Sequence, residues 1–94
     1  MIKKNCAVFI SGRGSNLEAL IKESENENFP IQIKLIISDN INAKGLKFSE
    51  TYNIESNLID YSKFKYKDEF EKNILNKLKI KNIELICLAG FMRI

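Results

Sequence analysis

The feature that most constrains the fold is a junction near the amino terminus, where an apolar run gives way to helical spacing across a turn that contains glycine. Residues 6–10 are all apolar and include two β-branched side chains, which favours a strand covered on both faces. Gly12 and Gly14 then permit a tight turn and a close approach of the backbone to a ligand. From Asn16 the apolar residues recur at the spacing of one helix face. A helix that begins there directs free N–H groups at the end of the strand, so the junction predicts a phosphate-binding turn.

The same turn also has the residues of a helix cap. Ser15 and Glu18 have the spacing of a capping box, in which both side chains satisfy N–H groups of the first helical turn. The complete dinucleotide-binding fingerprint needs a third glycine, and that position holds Leu17. On the local residues alone, phosphate binding and plain capping therefore both stay open.

The remaining chain continues the alternation of strands and helices. Besides the first strand and a helix from Asn16 to near Glu25, the pattern predicts strands at 31–38, 54–59 and 84–89, and helices at 43–52 and 68–79. The last helix is expected to bury one face, formed by Phe70, Ile74, Leu75 and Leu78. This order predicts an α/β fold of half-Rossmann type, a parallel sheet of four strands in the order 3-2-1-4 with helices on both faces. Ligands in such a sheet bind outside the carboxyl ends of strands one and four, where the strand order reverses.

Composition narrows the class of protein. The 94 residues make one small domain with a net charge of +3, carried by thirteen lysines and two arginines, so we expect no nucleic-acid partner. The basic and aromatic alternation at 63–67 is brief and is interpreted as a solvated loop. No apolar run is long enough for a membrane span or a signal peptide. Cys6 and Cys87 are expected to be free core thiols of a cytoplasmic protein, and with no histidine we expect no metal site.

Two longer strings identify a family. The sequence ISGRGSNL at residues 10–17 and the sequence LAGFMRI at residues 88–94 resemble phosphoribosylglycinamide formyltransferase, an enzyme of purine biosynthesis. Residues 36–40 and 43–46 resemble the second strand of that family and the helix that follows it. The resemblance runs the whole length of the chain with matching spacing.

The resemblance implies a substrate and a set of residues for its phosphate. The family moves a formyl group from 10-formyltetrahydrofolate, the co-substrate, to the amine of glycinamide ribonucleotide. Gly14, Ser15 and Asn16 would hold the phosphate of the ribonucleotide through backbone N–H groups and side-chain donors. Gly12 and Arg13 are further candidates in the same turn.

A second set of residues would contact the folate. By the same resemblance Met92, Arg93 and Ile94 would line its pocket. Lys67 stands where the family commonly has an arginine near the glutamate end of the folate, and it would keep the charge without the planar fork.

The catalytic residues that the resemblance implies, an Asn, a His and an Asp, would lie beyond Ile94. We therefore expect residues 1–94 to form the amino-terminal part of an incomplete formyltransferase fold, inactive alone, with its carboxyl-terminal half missing in cis or in trans. The apolar fourth strand predicts self-association of the isolated chain. Two alternatives remain at this point. One is a non-catalytic module that binds phosphate or nucleotide, and the other is a dehydrogenase fragment with Asp39 as ribose ligand, against which Leu17 counts.

Overall fold

A computed structural model describes residues 3–11, 15–40, 42–60 and 63–89, and these ranges form one parallel sheet with helices on both faces. The strands are β1 (Lys4–Ile10), β2 (Ile31–Ser38), β3 (Glu55–Leu58) and β4 (Leu85–Ala89). The helices are α1 (Ser15–Ser24), α2 (Lys47–Thr51), which continues a 3-10 turn at Lys44–Leu46, and α3 (Lys67–Ile80). The sheet order is β3-β2-β1-β4 and every pairing is parallel. The predicted fold class and the predicted order 3-2-1-4 are therefore confirmed.

The central strand β1 is buried on both faces, as its unbroken apolar run predicts. Val8 and Ile10 face α1, whereas Ala7 and Phe9 face α3, and all four are 0% exposed. Successive residues of a strand point to opposite faces, so one short segment supplies side chains to two separate cores.

The two cores show where the helices lie. The residues on the α3 face are Ala7, Phe9, Leu35, Ile37, Ile59, Phe70, Ile74 and Leu78. The residues on the α1 face are Cys6, Val8, Ile10, Leu17, Ile21, Ile33, Ile36 and Ala43. Right-handed crossovers place α1 on one face while the chain moves outward from β1 to β3, and α3 on the other when it returns to β4. The strand order thus reverses between β1 and β4.

Three expectations about packing need correction. The helix predicted at 43–52 divides into a 3-10 turn and a five-residue helix, and Gly45 lies buried in the turn. The buried face of α3 excludes Leu75, which is 54% exposed and lines a groove together with Ile86 of the edge strand. Cys87 is only partly buried because β4 is the last strand of the sheet in the described ranges.

Exposed apolar side chains on β4 follow from the same position. Leu85, Ile86 and Leu88 are between 42% and 52% exposed. Together with Leu75, Ile86 lines a groove of about 260 Å³ beside α3. Among the helices of the described ranges, none combines the length and the apolar content needed to cross a bilayer.

Candidate functional site

The carboxyl ends of β1, β2 and β4 lie side by side. Ile10 pairs with Ser38, and Phe9 pairs with Leu88. The residues that follow these strands therefore start from one edge of the sheet, which is where ligands bind in folds of this kind. Helix α1 begins at Ser15, so residues 11–14 connect this edge to a helix amino terminus.

Ser11, the first residue of this connection, is held from the neighbouring strand end. Its hydroxyl donates to Asp39 Oδ1 at 2.8 Å. Its backbone oxygen accepts from Asn40 Nδ2 at 3.1 Å. Both the side chain and the main chain of Ser11 are thus fixed by two consecutive residues after β2.

The segment after β2 is itself tied down. Ser38, which is 0% exposed, accepts from the Asn40 N–H at 3.1 Å and donates to the Asn40 carbonyl at 3.0 Å. Asn40 Oδ1 accepts from the Asn42 N–H at 2.9 Å, and the Asn40 carbonyl accepts from the Ala43 N–H at 3.0 Å. Short polar side chains in this segment thus form hydrogen bonds with nearby backbone, as they commonly do in turns.

The start of α1 is anchored by an apolar contact. Leu17 is 0% exposed and belongs to the core on the α1 face, whereas Asn16 beside it is exposed. Glu18 accepts from the Tyr52 hydroxyl at 3.4 Å and lies 4.0 Å from Lys22 Nζ. The structure does not describe the side chain of Ser15, so the capping box of Ser15 and Glu18 stays a prediction.

Several of the predicted site residues cannot be placed. Gly12, Arg13 and Gly14 lie outside the described residues, as do Met92, Arg93 and Ile94 at the other end of the chain. Of the described candidates, Asn16 is the second residue of α1 and Lys67 is the first residue of α3. Helix α3 connects two parallel strands, β3 and β4, so it runs from the carboxyl edge of the sheet back to the opposite edge. Its first residue therefore lies at the carboxyl edge. Lys67 is 61% exposed and its Nζ is 3.8 Å from Glu71 Oε1.

The structure has a further cleft at this edge that the sequence analysis did not predict. It has a volume of about 310 Å³ and is lined by Asp39, Asn40, Leu58, Asp60 and Lys63. The signal available was the polar residue that follows each strand, Asp39 after β2 and Asp60 after β3. Such residues share an edge once the sheet is known to be parallel.

The two cysteines are free thiols, as predicted. Burial raises the pKa of the Cys6 thiol to about 11, and the neighbouring Cys87 adds to the shift. A thiol with so high a pKa is protonated and inert at neutral pH. Within the ranges given above, no group of three or more His, Cys, Asp or Glu side chains is arranged to hold a metal ion.

A parallel half-Rossmann sheet with a helix that follows the first strand at the switch point defines a class of α/β proteins that bind ligands at the carboxyl edge. Within that class, a family model described as formyl transferase matches residues 4–94. The chain belongs to the formyl transferase family. This assignment agrees with the resemblance of the two sequence strings, and it does not favour a non-catalytic module.

Relatives agree in sequence and in structure. Phosphoribosylglycinamide formyltransferase of Bacillus subtilis is 36% identical over 91 residues, which are 97% of this chain and 47% of that protein. The trifunctional purine biosynthetic protein adenosine-3 of Homo sapiens is 40% identical over 92 residues, 98% of this chain and 9% of that protein. The crystal structure of phosphoribosylglycinamide formyltransferase from Brucella melitensis has a TM-score of 0.94 at 36% identity, covering 99% of this chain and 48% of that one. The chain thus spans about half the length of the single-function enzymes it matches.

Proposed function

We propose that this chain forms the amino-terminal half of a phosphoribosylglycinamide formyltransferase, the half that binds the phosphate of glycinamide ribonucleotide. The observation that carries the proposal is the junction at the carboxyl end of β1, where the sequence SGRGSN leads directly into α1. Enzymes named for this reaction match the chain over nearly all of its length. The reaction would move a formyl group from 10-formyltetrahydrofolate to the amine of the ribonucleotide.

The phosphate would lie against the amino terminus of α1. The first N–H groups of a helix have no partner within it, and the helix dipole makes this end attractive to an anion. Burial of Leu17 fixes this end of α1 against the sheet, and the neighbouring Asn16 is exposed. Gly14, Ser15 and Asn16 would be the main ligands, with Gly12 and Arg13 as further contacts in the turn.

The folate would lie between the end of β4 and the start of α3. Lys67 is mostly exposed, and its ion pair with Glu71 spans 3.8 Å between exposed side chains, so it is weak. Its ammonium group is therefore available to a carboxylate at the glutamate end of a folate. The folate would be contacted from the other side by the residues after β4, namely Met92, Arg93 and Ile94.

The chemical step would need groups that these 94 residues lack. Attack of the amine on the formyl carbon forms a tetrahedral oxyanion, which requires a hydrogen-bond donor and a group that accepts a proton. The chain contains no histidine. We therefore propose that a carboxyl-terminal half, in cis or in trans, supplies the Asn, His and Asp of the family. A cytoplasmic location belongs to the same proposal and is supported by two free thiols.

Calorimetry with phosphorylated and dephosphorylated glycinamide riboside tests the phosphate site. The phosphorylated ligand should bind more tightly, and Gly14→Asp should abolish that difference by charge repulsion and a blocked backbone approach. Ser15→Ala should cost roughly 1.5–3 kcal/mol of binding, the range for a hydrogen bond to a charged partner. Loss of a helix cap would lower stability by about 1 kcal/mol, so melting is measured separately. Equal affinity for the two ligands would contradict the proposal.

A transfer assay tests the division of the enzyme. The chain alone should transfer no formyl group, and addition of a carboxyl-terminal half from a relative should restore transfer. Arg93→Ala and Ser15→Ala should each lower the restored rate. Transfer by the chain alone that survives both substitutions would contradict the proposed roles.

A further inference from the structure

We propose that Asp39 and Asn40 are positioning residues that hold the phosphate-binding turn through Ser11 and thereby set its affinity for phosphate. This role rests on the proposed function and deepens it. Neither residue belongs to the sequence string that forms the turn. Both come from the end of the next strand, β2, and reach across the edge of the sheet.

The two hydrogen bonds to Ser11 are complementary. Asp39 Oδ1 accepts from the Ser11 hydroxyl at 2.8 Å, and Asn40 Nδ2 donates to the Ser11 backbone oxygen at 3.1 Å. Rotation about the main chain of Ser11 would break one or both. Gly12 follows Ser11 in the sequence, so fixing Ser11 would reduce the conformational freedom that the glycine-containing segment loses when an anion binds.

Further hydrogen bonds fix Asn40 in the position from which it donates to Ser11. Its amide uses both ends, Nδ2 on the Ser11 carbonyl and Oδ1 on the Asn42 N–H at 2.9 Å. Its main chain is clamped on both sides by the hydroxyl of Ser38, which is fully buried. The contact to Ser11 is therefore built on the rigid end of β2, and an ordered donor gives more affinity than one that must be ordered on binding.

The charge of Asp39 separates positioning from direct binding. A carboxylate repels a phosphate, so Asp39 is no phosphate ligand, and its benefit to phosphate binding must be indirect; its hydrogen bond to Ser11 provides such a route. Asp39→Asn keeps an oxygen that accepts from the Ser11 hydroxyl and removes the charge. Asp39→Ala removes both. Because both substitutions remove the charge and only Asp39→Asn keeps the acceptor, positioning predicts a lower ratio in Asp39→Ala than in Asp39→Asn, whereas general damage to the fold predicts losses in both.

The experiment measures, for each variant of the chain, the ratio of affinities for phosphorylated and dephosphorylated glycinamide riboside by calorimetry. Ser11→Ala and Asp39→Ala should each lower the ratio about threefold to tenfold, the loss expected for one hydrogen bond. The double variant should lose no more than either single variant, since the two groups form one bond. Asp39→Asn should leave the ratio unchanged or raise it. Asn40→Ala, which removes the donor to Ser11 O without adding a charge, should lower it.

Gln32→Ala is the matched control. Gln32 Nε2 donates to Asn5 Oδ1 at 2.8 Å, a bridge between the same two strands at the opposite edge of the sheet. This variant should keep the phosphate ratio even if its melting temperature falls.

Additive losses, an unchanged ratio in Ser11→Ala, or an equal loss in Gln32→Ala would each overturn the positioning role while the proposed function stands. A wild-type chain without any phosphate preference would overturn the proposed function, and the positioning role with it. If Asp39→Ala fails to fold, Ser11→Ala and Asn40→Ala decide the question, because they remove one hydroxyl and one amide group and add no charge.

Discussion

Replacement of Ile86 with lysine should suppress self-association of the isolated chain. Ile86 is 50% exposed on β4, and it lines the groove beside α3 with Leu75, which is 54% exposed. Leu88, two residues further along the same strand, is 52% exposed. The strand carries neither lysine nor proline, the residues with which exposed sheet edges usually prevent pairing with another chain. The opposite edge strand, β3, is shorter and polar and carries Glu55, so we expect contacts through β4.

The exposed fractions set the size of the effect. Full burial of a leucine or isoleucine contributes about 1.5–3 kcal/mol, so covering the exposed half of each contributes about 0.8–1.5 kcal/mol. A symmetric contact covers three such side chains on each copy and contributes about 5–9 kcal/mol. Association costs on the order of 4–15 kcal/mol, and hydrogen bonds along paired edges add about 0.5–1.5 kcal/mol each. The favourable and unfavourable contributions are of similar size, so we expect a weak association that depends on concentration.

Lysine at Ile86 removes one apolar contact on each copy and places two like charges across the interface. We expect at least a tenfold loss of association, since the lost burial alone amounts to roughly 1.5–3 kcal/mol for the two copies. Size exclusion with light scattering over a range of concentrations measures this loss, and binding of an apolar dye should fall in parallel. Ile80→Lys is the control, because Ile80 is 68% exposed at the end of α3 and does not line the groove. A wild-type chain that stays monomeric at millimolar concentration with a sharp two-state melt would refute the reasoning, as would equal effects of the two lysines.

Three further predictions concern the two thiols and the Glu55 carboxyl. The thiol of Cys87 should react with a thiol reagent before that of Cys6, whose raised pKa keeps it protonated. The native chain holds the Cys6 proton to about pH 11, whereas an unfolded thiol loses it near pH 9. The protonated thiol therefore stabilises the fold fully below pH 9, and this stabilisation is lost as the pH rises toward 11. In a series of denaturation measurements at increasing pH, Cys6→Ala should remove this loss of stability. The hydrogen bond from Lys81, at 2.6 Å, lowers the pKa of the Glu55 carboxyl below its ordinary 4.5, so Lys81→Met should raise it in an NMR titration. A Glu55 titration unchanged by that substitution would contradict the ion pair.

The strands were predictable because their residues meet a simple physical demand. The run from Cys6 to Ile10 has no polar residue, and only a strand with cover on both faces buries all of it. Helix periodicity is less informative at its margins, as Leu75 shows. A helical wheel tells which residues share a face, but the width of that face depends on how far the sheet extends beneath the helix. At α3 the cover stops short of Leu75, and the sequence of α3 does not contain that information.

The contacts around Ser11 were beyond prediction for a different reason. Asp39 and Asn40 directly follow β2, and their bonds to Ser11 join positions 28 and 29 residues apart. Those bonds depend on the register that pairs Ile10 with Ser38. Register is set by packing of whole strands, so a pair of polar residues at a strand end shows its partner only when the sheet is assembled.

Leu17 and Asp39 also explain how this half-Rossmann frame differs from a dinucleotide site. The dinucleotide fingerprint has a glycine at the position of Leu17, so that the helix packs closely on the strand. It has an acidic residue at the position of Asp39, which binds the ribose. Here a leucine, fully buried, fills the space between α1 and the sheet. The acidic residue is present, but its Oδ1 accepts from Ser11 in the turn itself. Both positions that would recognise a dinucleotide thus make contacts within the fold, which counts against the dehydrogenase alternative.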